Sequence, residues 1–126
     1  MTGGSLRILH QALLGEALMT GGSAVFVSDD AGRYLAVNDV VVDLLGYSRE
    51  ELASLNARDV TVRSEEELAE VYAMLKRNRS IQETARLRRK DGSTVSFTYV
   101  GVEATVGHLP VYVAITEPLT GGLDAA

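Results

Sequence analysis

The sequence predicts an α+β fold: a five-stranded antiparallel sheet with short helices on one face and an N-terminal amphipathic helix. Three observations predict it. The apolar period changes along the chain, from helical spacing to short alternating runs, back to helical spacing, and then to alternation from Ile81 onward. Two Ser-x-x-Glu capping boxes, Ser48 with Glu51 and Ser64 with Glu67, open helices in the middle of the chain. Turn signals at Asp29-Asp30-Ala31-Gly32, Asp91-Gly92 and Gly107-His108-Leu109-Pro110 join neighbouring strands tightly enough to pair them antiparallel.

The elements follow in order. Leu6, Leu9, Leu13 and Ala17 share one stripe, which Leu14 and Leu18 widen. Ser5 to Met19 is therefore an amphipathic helix ended by Gly21-Gly22, with Met1 to Ser5 a loose lead-in. Residues 1–22 form this flanking segment, residues 23–117 the domain, and residues 118–126, with Pro118 and Gly121-Gly122, a flexible tail. Ala24 to Ser28 and Tyr34 to Val37 make a hairpin. Asn38 can accept from the free amides of the next turn and caps a short helix over Asp39 to Leu45, closed by Gly46. The first capping box opens a short helix through Leu52. The second opens a longer one to Lys76 or Arg77, with Leu68, Val71, Tyr72 and Leu75 on its buried face. An arm ending at Leu87, a long strand over Ser93 to Thr105 and a last strand over Val111 to Thr116 complete the sheet.

Composition excludes several functions. The net charge of -5 opposes a nucleic-acid partner, which needs a basic stripe, and an anionic membrane surface. Leu6 to Met19 is too short and too polar to span a bilayer and lacks a signal peptide's apolar core and cleavage site. The chain has no cysteine, so it has no disulfides, thiolate zinc site, iron–sulfur cluster or cysteine nucleophile. These features fit a cytoplasmic protein. Glu65, Glu66, Glu67 and Glu70 are set against a helix N-terminus and read as a solvated face, not a metal site. Asp29 and Asp30 read as turn formers, and Arg86, Arg88, Arg89 and Lys90 as edge charge. No Gly-x-Ser-x-Gly elbow accompanies His108, so nucleophilic catalysis is not expected.

Four stretches resemble a known family. Val25-Phe26-Val27-Ser28-Asp29-Asp30-Ala31-Gly32-Arg33 is similar to the opening hairpin of PAS domains. Asn38 and Leu44-Leu45-Gly46-Tyr47-Ser48-Arg49-Glu50-Glu51-Leu52 resemble the family's helix and Gly-Tyr-Ser turn. Arg86-Leu87-Arg88-Arg89-Lys90-Asp91-Gly92-Ser93 resembles its fourth-to-fifth hairpin, and Ala114-Ile115-Thr116-Glu117 its closing strand. The likeness runs from Ser23 to Glu117. Two departures stand out. Ala114 replaces the acidic residue that often anchors a following signalling helix, and Pro118 follows closely, which opposes a C-terminal coiled-coil output. The chain has no tryptophan, and Phe97 takes the place of a fifth-strand aromatic.

The resemblance implies a sensory, signal-transducing module without enzymatic activity. Haem-binding members use an axial histidine on the long central helix. Ser64 to Asn78 contains none, and His10 and His108 lie elsewhere. Flavin-adduct and thioester-chromophore chemistry need a cysteine. No cofactor is therefore predicted, and the expected ligand is a small organic molecule. By motif matching, Phe26, Ser28, Leu44, Leu45, Tyr72, Leu75, Phe97, Tyr99, Val113 and Ile115 face the ligand space, with the Ser28, Tyr72 and Tyr99 hydroxyls orienting the ligand. The alternative is a ligand-free homodimerisation and interaction module in which the same residues fill a solid core. The resemblance and the two-sided apolar helix together predict a homodimer through Leu6, Leu9, Leu13, Leu14, Leu18, Val25 and Val27. One stripe would cover the outer sheet face and the other would meet its copy. A signalling-protein partner is also expected.

Overall fold

The computed structural model describes residues 3–117; residues 1–2 and 118–126, and the side chains of residues 3–7, 11, 16 and 20, lie outside that description. The element order is α1 (Gly3–Thr20), β1 (Val25–Ser28), β2 (Tyr34–Val37), α2 (Asp39–Leu45), α3 (Arg49–Ala53), α4 (Ala57–Val60), α5 (Glu65–Asn78), β3 (Ser80–Arg88), β4 (Thr94–Val106) and β5 (Leu109–Thr116). The five strands form one antiparallel sheet in the order β2-β1-β5-β4-β3. The last strand therefore inserts beside the first, and the helices between β2 and β3 lie over one face.

Local chemistry explains the helix starts. The Ser48 hydroxyl accepts from the Glu51 amide at 3.1 Å while the Glu51 carboxylate accepts from the Ser48 amide at 2.9 Å. Ser64 and Glu67 repeat the arrangement, with both bonds at 3.1 Å. A third box, Asn56 with Asp59, opens α4, an element the sequence reading does not contain. Helix α2 ends at Gly46 in the left-handed region at φ 80°. Helix α5 runs to Asn78, past the expected end, and closes on Arg79, a non-glycine residue at φ 68°.

Two further boundaries differ from expectation. Helix α1 begins at Gly3, so Gly3 to Ser5 are helical and not a loose lead-in. The last hairpin turns on Gly107-His108 alone, because Val106 pairs with Leu109; Leu109 and Pro110 already belong to β5. Strand β1 reaches only to Tyr112 along β5, so the missing Pro110 amide falls beyond its end and disrupts no ladder bond there. The expected flexible tail lies outside the described residues.

The core sits between the sheet and the helices. Phe26, Tyr34, Val41, Leu45, Leu52, Val60, Leu87, Val95 and Phe97 form its main cluster. Phe26 stacks on Phe97 with ring centres 6.3 Å apart. Val71, Leu75, Ile81 and Tyr112 form a second cluster beneath α5. The helix comes close to β4 at Gly101, where a Cβ would meet Leu75 and Ile81 at 3.3 Å. Helix α1 does not behave as expected. Leu9, Leu13, Leu14 and Leu18 are between 43% and 66% exposed, so neither stripe buries itself on this chain's own sheet. The side chain of Leu6 lies outside the described residues.

Candidate ligand cavity

Antiparallel partners point to the same side of a sheet, so register decides which residues face the helices. Phe26 pairs with Ala114 and Ser28 with Tyr112; Tyr99 pairs with Thr116, Gly101 with Ala114 and Glu103 with Tyr112. These positions form the inner face. Val25, Val27, Val100, Val102, Val113 and Ile115 occupy the outer face by the same register.

A cavity of about 100 Å³ lies between the inner face and helices α4 and α5. Of the expected residues, Phe26, Ser28, Tyr72, Leu75, Phe97, Tyr99 and Val113 line it. Val113 holds an outer-face register position, and its neighbours Tyr112 and Ala114 line the cavity from the inner one. Ile115 is not among the lining residues. It pairs with Val25 and Val100 on the outer face and is 38% exposed. Leu45 is fully buried in the main cluster, and Leu44 packs against that cluster. Both border a separate surface cleft beside Arg89 and Lys90, because α2 lies over the far end of the core. Further residues line it that the sequence does not point to, among them Tyr34, Arg63, Gly101 and Tyr112.

The polar groups of the cavity are few and specific. The Ser28 and Tyr72 hydroxyls hydrogen-bond each other at 3.1 Å. The Tyr72 and Tyr112 rings meet edge to face at 5.2 Å. Tyr112 is only 4% exposed, and its hydroxyl has no hydrogen-bond partner among the described residues. The Arg63 guanidinium donates to the Thr84 carbonyl at 2.8 Å and to the Glu83 carboxylate at 3.3 Å.

Burial pushes the phenols of Tyr34, Tyr72, Tyr99 and Tyr112 above the usual tyrosine range. Carboxylates add to the rise: Asp59 for Tyr34, Asp29 for Tyr72, Glu83 for Tyr99, and Glu103 with Asp30 for Tyr112. A phenol held neutral in the fold but free to ionise near pH 10 once unfolded gives stability that is complete below that pH. That stability is lost as pH rises through the folded values. Alkaline titration is therefore expected to show a cooperative loss of structure above about pH 10. Tyrosinate absorbance and near-ultraviolet circular dichroism should change together. The chain has no tryptophan to obscure either signal. Full tyrosine ionisation with the near-ultraviolet signal intact would contradict this account.

Among the described residues, no group of three or more His, Asp or Glu could hold a metal ion, and no helix is long and apolar enough to cross a membrane.

Comparison with known proteins adds three findings. A family model described as a PAS domain matches residues 22–119. No curated protein sequence matches. Among solved structures, the PAS domain of an HTR-like protein from Haloarcula marismortui superposes with a TM-score of 0.77 at 18% identity, covering 91% of this chain and 97% of that one. The PAS domain of a Desulfitobacterium hafniense protein gives 0.72 at 24% identity, covering 82% and 99%. A domain of a sensory box sensor histidine kinase/response regulator from Geobacter sulfurreducens gives 0.75 at 16% identity, covering 87% and 95%.

Proposed function

The chain belongs to the PAS domain family, the sensory and signal-transduction modules, and on that premise we propose that it binds a small organic molecule and performs no chemistry of its own. The observation that supports ligand binding is the cavity under α5, apolar in its walls and furnished with the Ser28 and Tyr72 hydroxyl pair. A bound molecule can act on signalling there because β1, β4, β5 and α5 all border it. The Geobacter likeness is a domain of a sensor histidine kinase/response regulator, and a signalling-protein partner is proposed for this chain too. Its proposed compartment is the cytoplasm, where a domain without cysteine forgoes no disulfide stabilisation. Native mass spectrometry of freshly purified protein tests ligand binding. A mass excess lost on denaturation is expected. Identical native and denatured masses would favour the ligand-free interaction module.

Helix α1 supports a second element of function, homodimerisation. Its leucines are exposed on both stripes, and Val100 and Ile115 on the outer sheet face are 46% and 38% exposed. Two uncovered apolar surfaces on one small domain are most simply covered by a second copy with two-fold symmetry. Light scattering of the full chain is expected to give a dimer mass. The double variant Leu13→Glu, Leu14→Glu is expected to give a monomer with little change in fold, since both side chains are more than half exposed. A monomeric parent at high concentration, or a variant that remains dimeric, would remove the proposal.

A further inference from the structure

Within the cavity, Tyr112 is the group without a role. Its ring lies on the inner face between the Ser28 and Glu103 register positions. Its hydroxyl is buried and unpartnered among the described residues. The nearest hydroxyls already serve each other, Ser28 with Tyr72 at 3.1 Å. The Glu103 carboxylate lies near enough to raise the Tyr112 phenol by its charge and by a marginal hydrogen-bond contact, but it falls short of full hydrogen-bond geometry and pairs with Arg79 at 3.9 Å. Native proteins seldom bury a donor of this strength without a protein, water or ligand partner.

Charge and size narrow what that partner is. Burial, together with Glu103 and Asp30, keeps the Tyr112 phenol protonated, so it donates and a ligand must accept. The same carboxylates, with Asp29 beside Tyr72, oppose an anion. The lining cation, Arg63, is already held by Glu83 and the Thr84 carbonyl. An engineered apolar cavity of about 150 Å³ holds benzene, so this one, at about 100 Å³, admits nothing larger than a single ring. Phe26 and Phe97 offer flat aromatic walls.

We propose that the cavity takes a small neutral ring, of no more than about six heavy atoms, bearing one hydrogen-bond acceptor, which receives the Tyr112 hydroxyl. This rests on the reading of the cavity as a ligand site, and the test separates the two. The full chain is titrated by nuclear magnetic resonance with pyridine, benzene and isobutyrate, three probes equal in heavy atoms, at a mildly alkaline pH that keeps pyridine neutral. Pyridine is expected to bind about fivefold more tightly than benzene, the worth of one modest hydrogen bond, and about tenfold more tightly than isobutyrate. Tyr112→Phe is expected to bring pyridine down to benzene's level and leave benzene unchanged. The same variant should melt no lower than the parent, because the hydroxyl it removes has no protein partner to lose. If isobutyrate binds as well as pyridine, or if pyridine keeps its advantage in Tyr112→Phe, the ligand class is wrong while the site stands. A lower melting temperature in Tyr112→Phe would show that Glu103 accepts the hydroxyl and would also overturn the class. If benzene too leaves the cavity resonances unmoved, the ligand-site reading falls as well.

Discussion

Asn38→Ala is expected to lower stability by roughly 3–5 kcal/mol, since each buried polar group stranded without a partner costs about 1–3 kcal/mol. Asn38 is 3% exposed and uses its whole amide. Its carbonyl oxygen accepts from the Val25 amide at 3.0 Å and the Val41 amide at 3.3 Å. Its amide nitrogen donates to the Ser23 carbonyl at 2.8 Å and to the Leu18 carbonyl. One side chain thus ties the end of α1, the start of β1 and the start of α2 together. Alanine would strand the Val25 amide, which is buried at the head of the first strand. Asn38→Asp keeps the acceptor but sets a carboxylate against two carbonyls, so it should not rescue the loss. Thr116 performs a related task one step away, its hydroxyl accepting from the Ala24 amide at 2.8 Å. Thr116→Val removes a single bond and should cost less than Asn38→Ala. Denaturant unfolding measures both. An Asn38→Ala cost below about 1 kcal/mol would mean that water or a shifted backbone replaces the amide.

Much of this fold is legible in the sequence because its signals are local. A capping box needs four residues, and Ser48 and Ser64 place two helix starts to the residue. Asn38 is legible as a cap, but its other partners lie 13 to 20 residues away and carry no local signature. Helix α4 escapes because its cap pairs Asn56 with Asp59, a variant of the Ser-x-x-Glu pattern. The cavity is harder to read. Strand β5 is apolar on both faces, and aliphatic character alone favours Val113 and Ile115 as inward residues. Register decides otherwise. Phe97 and Tyr99 face inward from β4, and pairing across the Gly107-His108 turn puts Tyr112, Ala114 and Thr116 on the same side. That signal is present in the sequence, since the expected four-residue turn and the observed two-residue turn are both even in length and put Tyr112 on the same face as Tyr99. The packing of α1 is a different matter. Its leucine stripes are plain, but the described residues of this chain leave them exposed.

The core centred on Leu45 sets the other large expected effect. Leu45→Ala should cost about 2–5 kcal/mol, the lost transfer energy of the side chain plus the void it leaves. Leu45 is fully buried at the end of α2, where the surroundings can collapse little. Gly46 turns the chain sharply just after it at φ 80°. The β3–β4 hairpin grips the same turn from outside, with the Lys90 amide donating to the Leu45 carbonyl and the Arg89 guanidinium to the Leu44 carbonyl, both at 2.9 Å. Those bonds hold the backbone in place, so the void should persist and the cost should fall in the upper half of that range. Leu35→Ala is the matched control, since Leu35 is 55% exposed on β2 and should change stability by only about 0.5 kcal/mol. Denaturant melts of the two variants give the comparison directly. Equal costs would mean that α2 moves inward to fill the space, and that the hairpin's grip on Leu44 and Leu45 is weaker than their hydrogen bonds imply. The void would also lie apart from the cavity under α5, whose lining does not include Leu45, so probe binding to Leu45→Ala should match the parent at temperatures where both are folded.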